Sequence, residues 1–180
     1  NSGVVGAGDV QWMTAGSGIL HEEMPKAGPR RLDGFQVWVN LPRKLKMTAP
    51  RYQDVPAARI PEVTRKDGSR VRVVAGEVDG TKGAVREIYA DPTYLDVALA
   101  AGASFEQRVQ GGHTGLLYVF EGEVSVGGSE AAAGKAVSAV RLAILTDGDV
   151  VRVRAASAPA RFLLLSAQPL DEPAVRYGPF

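Results

Sequence analysis

Cysteine is absent from this chain of 180 residues. Disulfides, thiolate metal sites and a cysteine nucleophile are therefore excluded. Histidine is almost absent: His21 and His113 are the only two, so any imidazole chemistry rests on those positions. No run is long and apolar enough for a membrane-spanning helix. The first residues lack the basic-then-apolar pattern of a secretory signal, and the chain starts at Asn1 rather than Met. The formal net charge of +1 gives no electrostatic reason for a polyanionic partner. No helical period of convincing length is present. A nucleophile elbow is missing, and residues 3–8 lack the spacing and following helix of a phosphate cradle. What remains is ordinary globular material, 45% hydrophobic and 23% charged, in a length that suits one domain or two small ones.

The chain is organised around residues 8–25. A Gly8-Asp9 turn leads into a short apolar-rich strand holding Trp12 and Met13. Gly16-Ser17-Gly18 makes a second turn, and a second short strand is expected to carry His21 and Glu23. Side chains two apart on a strand share a face, so imidazole and carboxylate would project together while Glu22 points away. That donor pair suits iron, manganese or zinc. The plainer alternative is a histidine and a glutamate facing solvent at a strand edge.

Short strands dominate the rest. Residues 26–33 read as a loop. Residues 35–41 alternate strictly, which predicts a strand with Phe35, Val37, Val39 and Leu41 on one face and Gln36, Trp38 and Asn40 on the other. The second face is either a pocket wall or a solvent face with one packed tryptophan. A helical turn is possible around residues 43–47. The proline-bounded stretch 50–56 reads as an irregular, ordered linker. Beyond it, strands are expected at 60–64, 70–75, 93–99, 104–109, 115–120, 123–126, 140–145, 150–154 and 161–167, with glycine-rich turns between them. This pattern indicates an antiparallel barrel or sandwich. Gly8-Asp9-Val10 is echoed by Gly148-Asp149-Val150, which points to a duplicated barrel. His113 follows Gly111-Gly112, but Gly115 stands where a second ligand would be needed, so His113 reads as a structural residue.

Several segments together resemble the pirins, a family of the cupin superfamily. They are residues 8–16, Gly18-Ile19, His21-x-Glu23-Met24-Pro25, residues 36–42, Lys46-Met47, residues 50–53 and residues 176–180. The resemblance implies an all-β fold of double-stranded β-helix (cupin) barrels in two tandem domains. Residues 1–54 would be the later part of a metal-binding N-terminal barrel plus linker, incomplete in this chain. Residues 55–180 would be a C-terminal barrel without metal. The family holds one mononuclear metal, usually iron, with other divalent metals possible, on three histidines and one glutamate. His21 and Glu23 match the third histidine and the glutamate. The family's His-Pro-His motif has no counterpart here, so both ends are expected to be short relative to the family.

Two functions follow as expectations of the resemblance. One is flavonol (quercetin) 2,3-dioxygenation in the intact parent, with His21 and Glu23 as metal ligands. Glu23 would also be the base that takes the flavonol hydroxyl proton, and Trp12, Met13, Gln36 and Trp38 would be substrate-pocket walls. The other is a redox-sensitive iron-binding regulator that contacts a transcription factor or a metabolic enzyme. Expected partners are a small aromatic substrate such as a flavonol and a protein, with no direct nucleic acid and no membrane. The expected location is cytoplasmic, or nuclear in a eukaryote.

Overall fold

Alternating apolar residues in the second half of the chain become two facing antiparallel sheets. A computed structural model describes residues 3–26, 28, 32–128 and 133–175. The strands are β1 Val10–Thr14, β2 Arg51–Val55, β3 Glu62–Thr64, β4 Arg70–Ala75, β5 Glu77–Val78, β6 Thr81–Lys82, β7 Thr93–Leu99, β8 Ser104–Arg108, β9 Thr114–Glu121, β10 Glu123–Val126, β11 Lys135–Ser138, β12 Arg141–Ile144, β13 Val150–Ala155 and β14 Ala160–Ala167. One sheet runs β12-β9-β14-β7-β4-β3 and the other β11-β10-β13-β8. Helix is limited, among the described residues, to two single 3-10 turns, Arg43–Leu45 and Ala57–Arg59.

The core lies between these sheets. Leu95, Val97, Leu117, Val119, Phe162 and Leu164 fill it from the larger sheet, and Phe105, Val124, Val151 and Val153 from the smaller. Phe105 and Phe162 meet edge to face across the gap, with centroids 5.7 Å apart. Each such fully buried side chain contributes about 1.5–3 kcal/mol through the area it removes from water. The tight turn between β9 and β10 requires Gly122. Its φ is +73°, and a Cβ there would lie 2.4 Å from the Pro159 carbonyl oxygen.

The smaller unit is the antiparallel pair β1–β2, in register from Val10 opposite Val55 to Thr14 opposite Arg51. One face of this pair packs on the outside of the larger sheet. Val10, Trp12 and Val55 join Ile60, Val74, Ala75, Val85, Ile88 and Tyr94 in a second apolar cluster. On that same face the Gln53 amide donates to the Arg86 carbonyl at 3.0 Å and accepts from its N–H at 3.2 Å. Arg51 pairs with Glu87 at 2.9 Å.

Three expectations are corrected. Residues 51–55 form a strand, not an irregular linker. Pro50 and Pro56 flank the segment rather than interrupt it, so every residue between them keeps an N–H for the ladder. Residues 19–26, with His21 and Glu23, form no strand, and residues 35–41 likewise carry no ladder. Neither segment has a ladder partner among the described residues, and a strand is not assigned without one. The pairs β5–β6 and the strand β11 went unforeseen. β11 contains a single strongly strand-forming residue, Val137, beside an alanine- and glycine-rich stretch. Residues 176–180, which belong to the family-like segments, lie outside the described residues.

Asp9 ties the amino-terminal turn to the segment after β2. One carboxylate oxygen accepts the Gly6 N–H at 2.8 Å and the other the Ala57 N–H at 2.7 Å. These two bonds, the one from Ala57 first, hold its pKa below the ordinary 3.8; burial opposes them and Arg72 adds to the lowering. A depressed folded-state pKa means that the unfolded chain binds more protons over the intervening pH range. The stability linked to Asp9 is therefore full above its unfolded midpoint of about 3.9 and is lost as pH falls through the folded one. We expect an NMR titration to give Asp9 a midpoint below 3.8, and Asp9→Asn to flatten the acid limb of the stability curve. A midpoint at the ordinary value would remove this role.

Candidate functional site

The Gly16-Ser17-Gly18 turn is built by contact with residues 48–49. Gly16 has φ +53°, and a Cβ there would sit 2.1 Å from the Thr48 carbonyl oxygen. The Ser17 N–H donates to that same oxygen at 2.9 Å, and the Gly18 N–H donates back to Ala15 at 2.9 Å. The chain then runs outward, and His21, Glu22 and Glu23 are all exposed. Among the described residues no group of three or more His, Asp or Glu side chains converges on a point that a metal ion could occupy. A mononuclear site needs at least three protein ligands to hold its metal firmly. His21 and Glu23 alone do not fit that requirement.

The concave surface of this region lies elsewhere. An apolar cleft of about 200 Å³ opens where residues 37–40 and Trp12 approach the outer face of the larger sheet. Trp12, Trp38, Tyr94, Leu116 and Leu165 form its walls, and Asn40, Thr93, Thr114 and Gln168 supply polar groups at its margin. A mostly apolar hollow with a few polar groups is the usual form of a small-molecule site. Trp12 and Trp38 both border this cleft. Met13 and Gln36 do not line this cleft. Met13 follows Trp12 on β1 and so points to the opposite face of the β1–β2 pair; Gln36 lies just beyond the stretch 37–40 that bounds the cleft. A larger, more open hollow of about 470 Å³ lies beside β2, between Tyr52, Arg59 and Arg86.

Tyr94 is the main wall residue that sequence reasoning passed over. Burial, and after it the nearby Asp96 carboxylate, push its phenol above the ordinary 10.0, with Arg72 opposing. It therefore stays a neutral hydrogen-bond donor through the physiological range. Asp96 is itself held by Arg161 at 3.3 Å and Arg72 at 3.6 Å. Arg161 also reaches Glu121 at 3.3 Å and lies 4.8 Å over the Phe120 ring. Phe35 packs on Phe120 and Tyr118, with centroids 5.0 and 5.8 Å away. This aromatic contact places residues 35–40 across the sheet. The loop before β7 contains three non-glycine residues with left-handed backbone, Glu87, Ala90 and Asp91. Ala90 borders the cleft and accepts the Gln168 N–H at 2.9 Å, so the strained loop is pinned at the rim.

His113 stands in the turn before β9, its N–H donating to Gln110 at 3.2 Å. Its Nδ1 is buried without a hydrogen-bond partner. Leu145 packs against the position of Gly115, within 3.1 Å of where a Cβ would stand. The space where a second ligand would project is filled by a leucine.

Residues 94–180 match the family described as the pirin C-terminal cupin domain, and residues 1–39 match the family described as pirin. The chain belongs to the pirin family. Its fold is the cupin fold, almost entirely β. A pirin-like protein of Caulobacter vibrioides is 44% identical over 179 residues, covering 99% of this chain and 62% of that protein. The pirin of Mus musculus is 41% identical over 182 residues, covering 99% of this chain and 60% of that protein. A crystal structure of quercetin 2,3-dioxygenase from Acinetobacter baumannii has a TM-score of 0.80 and 35% identity, covering 98% of this chain and 61% of that one. The pirin chain described here spans about six-tenths of the length of the curated relatives it matches. No helix among the described residues is long and apolar enough to cross a membrane.

If His113 has only a structural part, His113→Ala should cost less than about 1 kcal/mol, the usual scale for a change outside a packed core or network. Metal content should not change. A fall in metal content caused by this substitution would make His113 a ligand.

Proposed function

We propose that this chain is part of a two-barrel pirin whose intact form carries out flavonol 2,3-dioxygenation with one mononuclear metal, iron by preference. In this reading residues 1–54 belong to the metal-bearing barrel and residues 55–180 to a second barrel without metal. The observation that carries it is the likeness to the Acinetobacter baumannii quercetin 2,3-dioxygenase over nearly the whole of this chain. The relatives with that name point to a metal cofactor and a flavonol substrate. The donor chemistry of His21 and Glu23 is compatible with iron, but they supply two ligands of a set that this chain does not complete.

Within that activity each residue has a stated part. Glu23 is the base for the flavonol hydroxyl proton, a role that a carboxylate performs and an amide does not. Trp12 and Trp38 offer flat apolar faces to an aromatic substrate. Tyr94, kept neutral, donates a hydrogen bond at the margin of the same cleft.

The test uses this chain alone and a chimera in which it replaces its matching part of the Caulobacter vibrioides relative. Metal content is measured by mass spectrometry and turnover by oxygen uptake with quercetin. The chain alone should hold iron weakly. The chimera should hold about one metal per chain, with three or four protein ligands in place. Glu23→Gln in the chimera should retain part of the metal and lose turnover about 100-fold or more, the scale of general-base catalysis. Unchanged turnover would remove Glu23 as the base. Full metal without turnover would favour the regulatory reading, in which the same protein binds another protein.

A further inference from the structure

The chain leaves the larger sheet at Ala167, the last residue of β14, and runs on beside the cleft. Prolines at 169 and 173 remove two backbone donors from residues 168–175 and disfavour helix there. The segment is held at three points. The Gln168 N–H donates to Ala90 at 2.9 Å. Leu170 lies in the cleft wall, and it is the one residue of 168–175 that is not exposed. Asp171 then takes a left-handed backbone, φ +51°, and Glu172 meets the 3-10 turn Arg43–Leu45.

The contact at Glu172 is made to the backbone. Its two carboxylate oxygens lie 3.0 and 2.8 Å from the Arg43 N–H. That N–H is the first of its turn, where no partner exists within the turn itself. Pro42, which precedes it, supplies no side-chain cap. The cap comes instead from the far end of the chain, and a bond to an ionised acceptor is of the stronger kind. A left-handed backbone at a non-glycine residue is unfavourable and persists where its surroundings enforce it. At Asp171 the enforcement comes from Leu170 on one side and Glu172 on the other.

The segment thus joins two bodies. Gln168 fixes it to the loop before β7, and Glu172 fixes it just past residues 37–40, which cross the sheet. The apolar cleft lies between these two attachments, with Leu170 in its wall. We propose that residues 168–172 are a strap that closes one side of the cleft. Leu170 is the closing side chain, and Glu172 is the positioning residue that latches the strap to the Arg43 N–H. Where the cleft takes a flavonol, which rests on the function proposed above, release of the latch lets the ligand in and out.

Four variants separate a latch from a general structural role. Glu172→Ala removes the acceptor. Arg43→Pro removes the donor, at a first helical position where proline fits, and after a residue whose ψ of 147° already suits a following proline. Both should speed hydrogen exchange of the Gln168 amide about ten-fold, the scale of losing one bond to a charged acceptor. The amides of Leu95 and Val119 in the core should not change. Arg43→Ala keeps the N–H, and Glu172→Gln keeps an acceptor oxygen, so both should stay within about two-fold of the parent. Quercetin release, followed by recovery of tryptophan emission in this chain and in the chimera, should be about ten-fold faster in the first two variants and unchanged in the other two.

A Gln168 amide indifferent to Glu172→Ala and Arg43→Pro overturns the strap. So does an effect of Arg43→Ala as large as that of Arg43→Pro, which would give the contact to the side-chain charge. Faster exchange with unchanged quercetin release overturns it too, because the segment would then move without closing the cleft. If neither protein takes up quercetin, the flavonol reading falls, and the exchange rates alone decide the strap.

Discussion

A strand persists only where a neighbour takes its backbone hydrogen bonds, and the amino-terminal quarter of this chain is shaped by that constraint. β1 has one ladder partner among the described residues, β2. That single pairing orients Trp12 and Val55 toward the larger sheet and sends Met13 and Tyr52 the other way. From it follow the apolar seam, the Gln53–Arg86 bonds and the course of the chain into the Gly16 turn. Pairing stops at Thr14, and past the Gly16 turn the described residues hold no regular structure before the 3-10 turn at Arg43. The motif with His21 and Glu23 lies in that stretch, so the residues with most chemical promise stand on the segment with least support.

The second half of the chain was legible because its signals are local. Val71, Val73, Leu95, Val97, Leu117 and Val119 recur at every second position, and glycines mark the turns between their strands. The limits of β4, β7 and β10 follow from that pattern residue for residue. The first half was less legible because its signals are conditional. Residues 35–41 alternate as strictly as β7, but alternation states only that two faces differ. It does not supply a partner. The prolines around 51–55 gave the opposite error: they mark ends, and were read as interruptions.

The cleft was half legible. Trp38 stood out as a large aromatic sharing a face with two amides, and Trp12 as part of a family-like segment. Tyr94, Leu116 and Leu165 could not be found this way, since each is an ordinary outward residue of a strand whose importance comes from the segment that crosses it. The signal was present in Phe35, whose contact with Phe120 and Tyr118 brings that crossing about, but nothing local links residue 35 to residue 120. His21 and Glu23 rest on resemblance to a family; their geometry here is that of two exposed side chains.

Trp12 and Trp38 are the only tryptophans in the chain, and both border the same cleft. The ultraviolet emission of this protein is therefore a local signal, not a global one. It reports Trp12 at the seam with the sheet and Trp38, which is 89% exposed, at the mouth of one hollow. The sandwich core, filled by phenylalanine, leucine and valine, is silent at those wavelengths. A thermal or chemical transition followed by tryptophan emission would register the lifting of residues 37–40, and it would match the loss of secondary structure only if the two events were one.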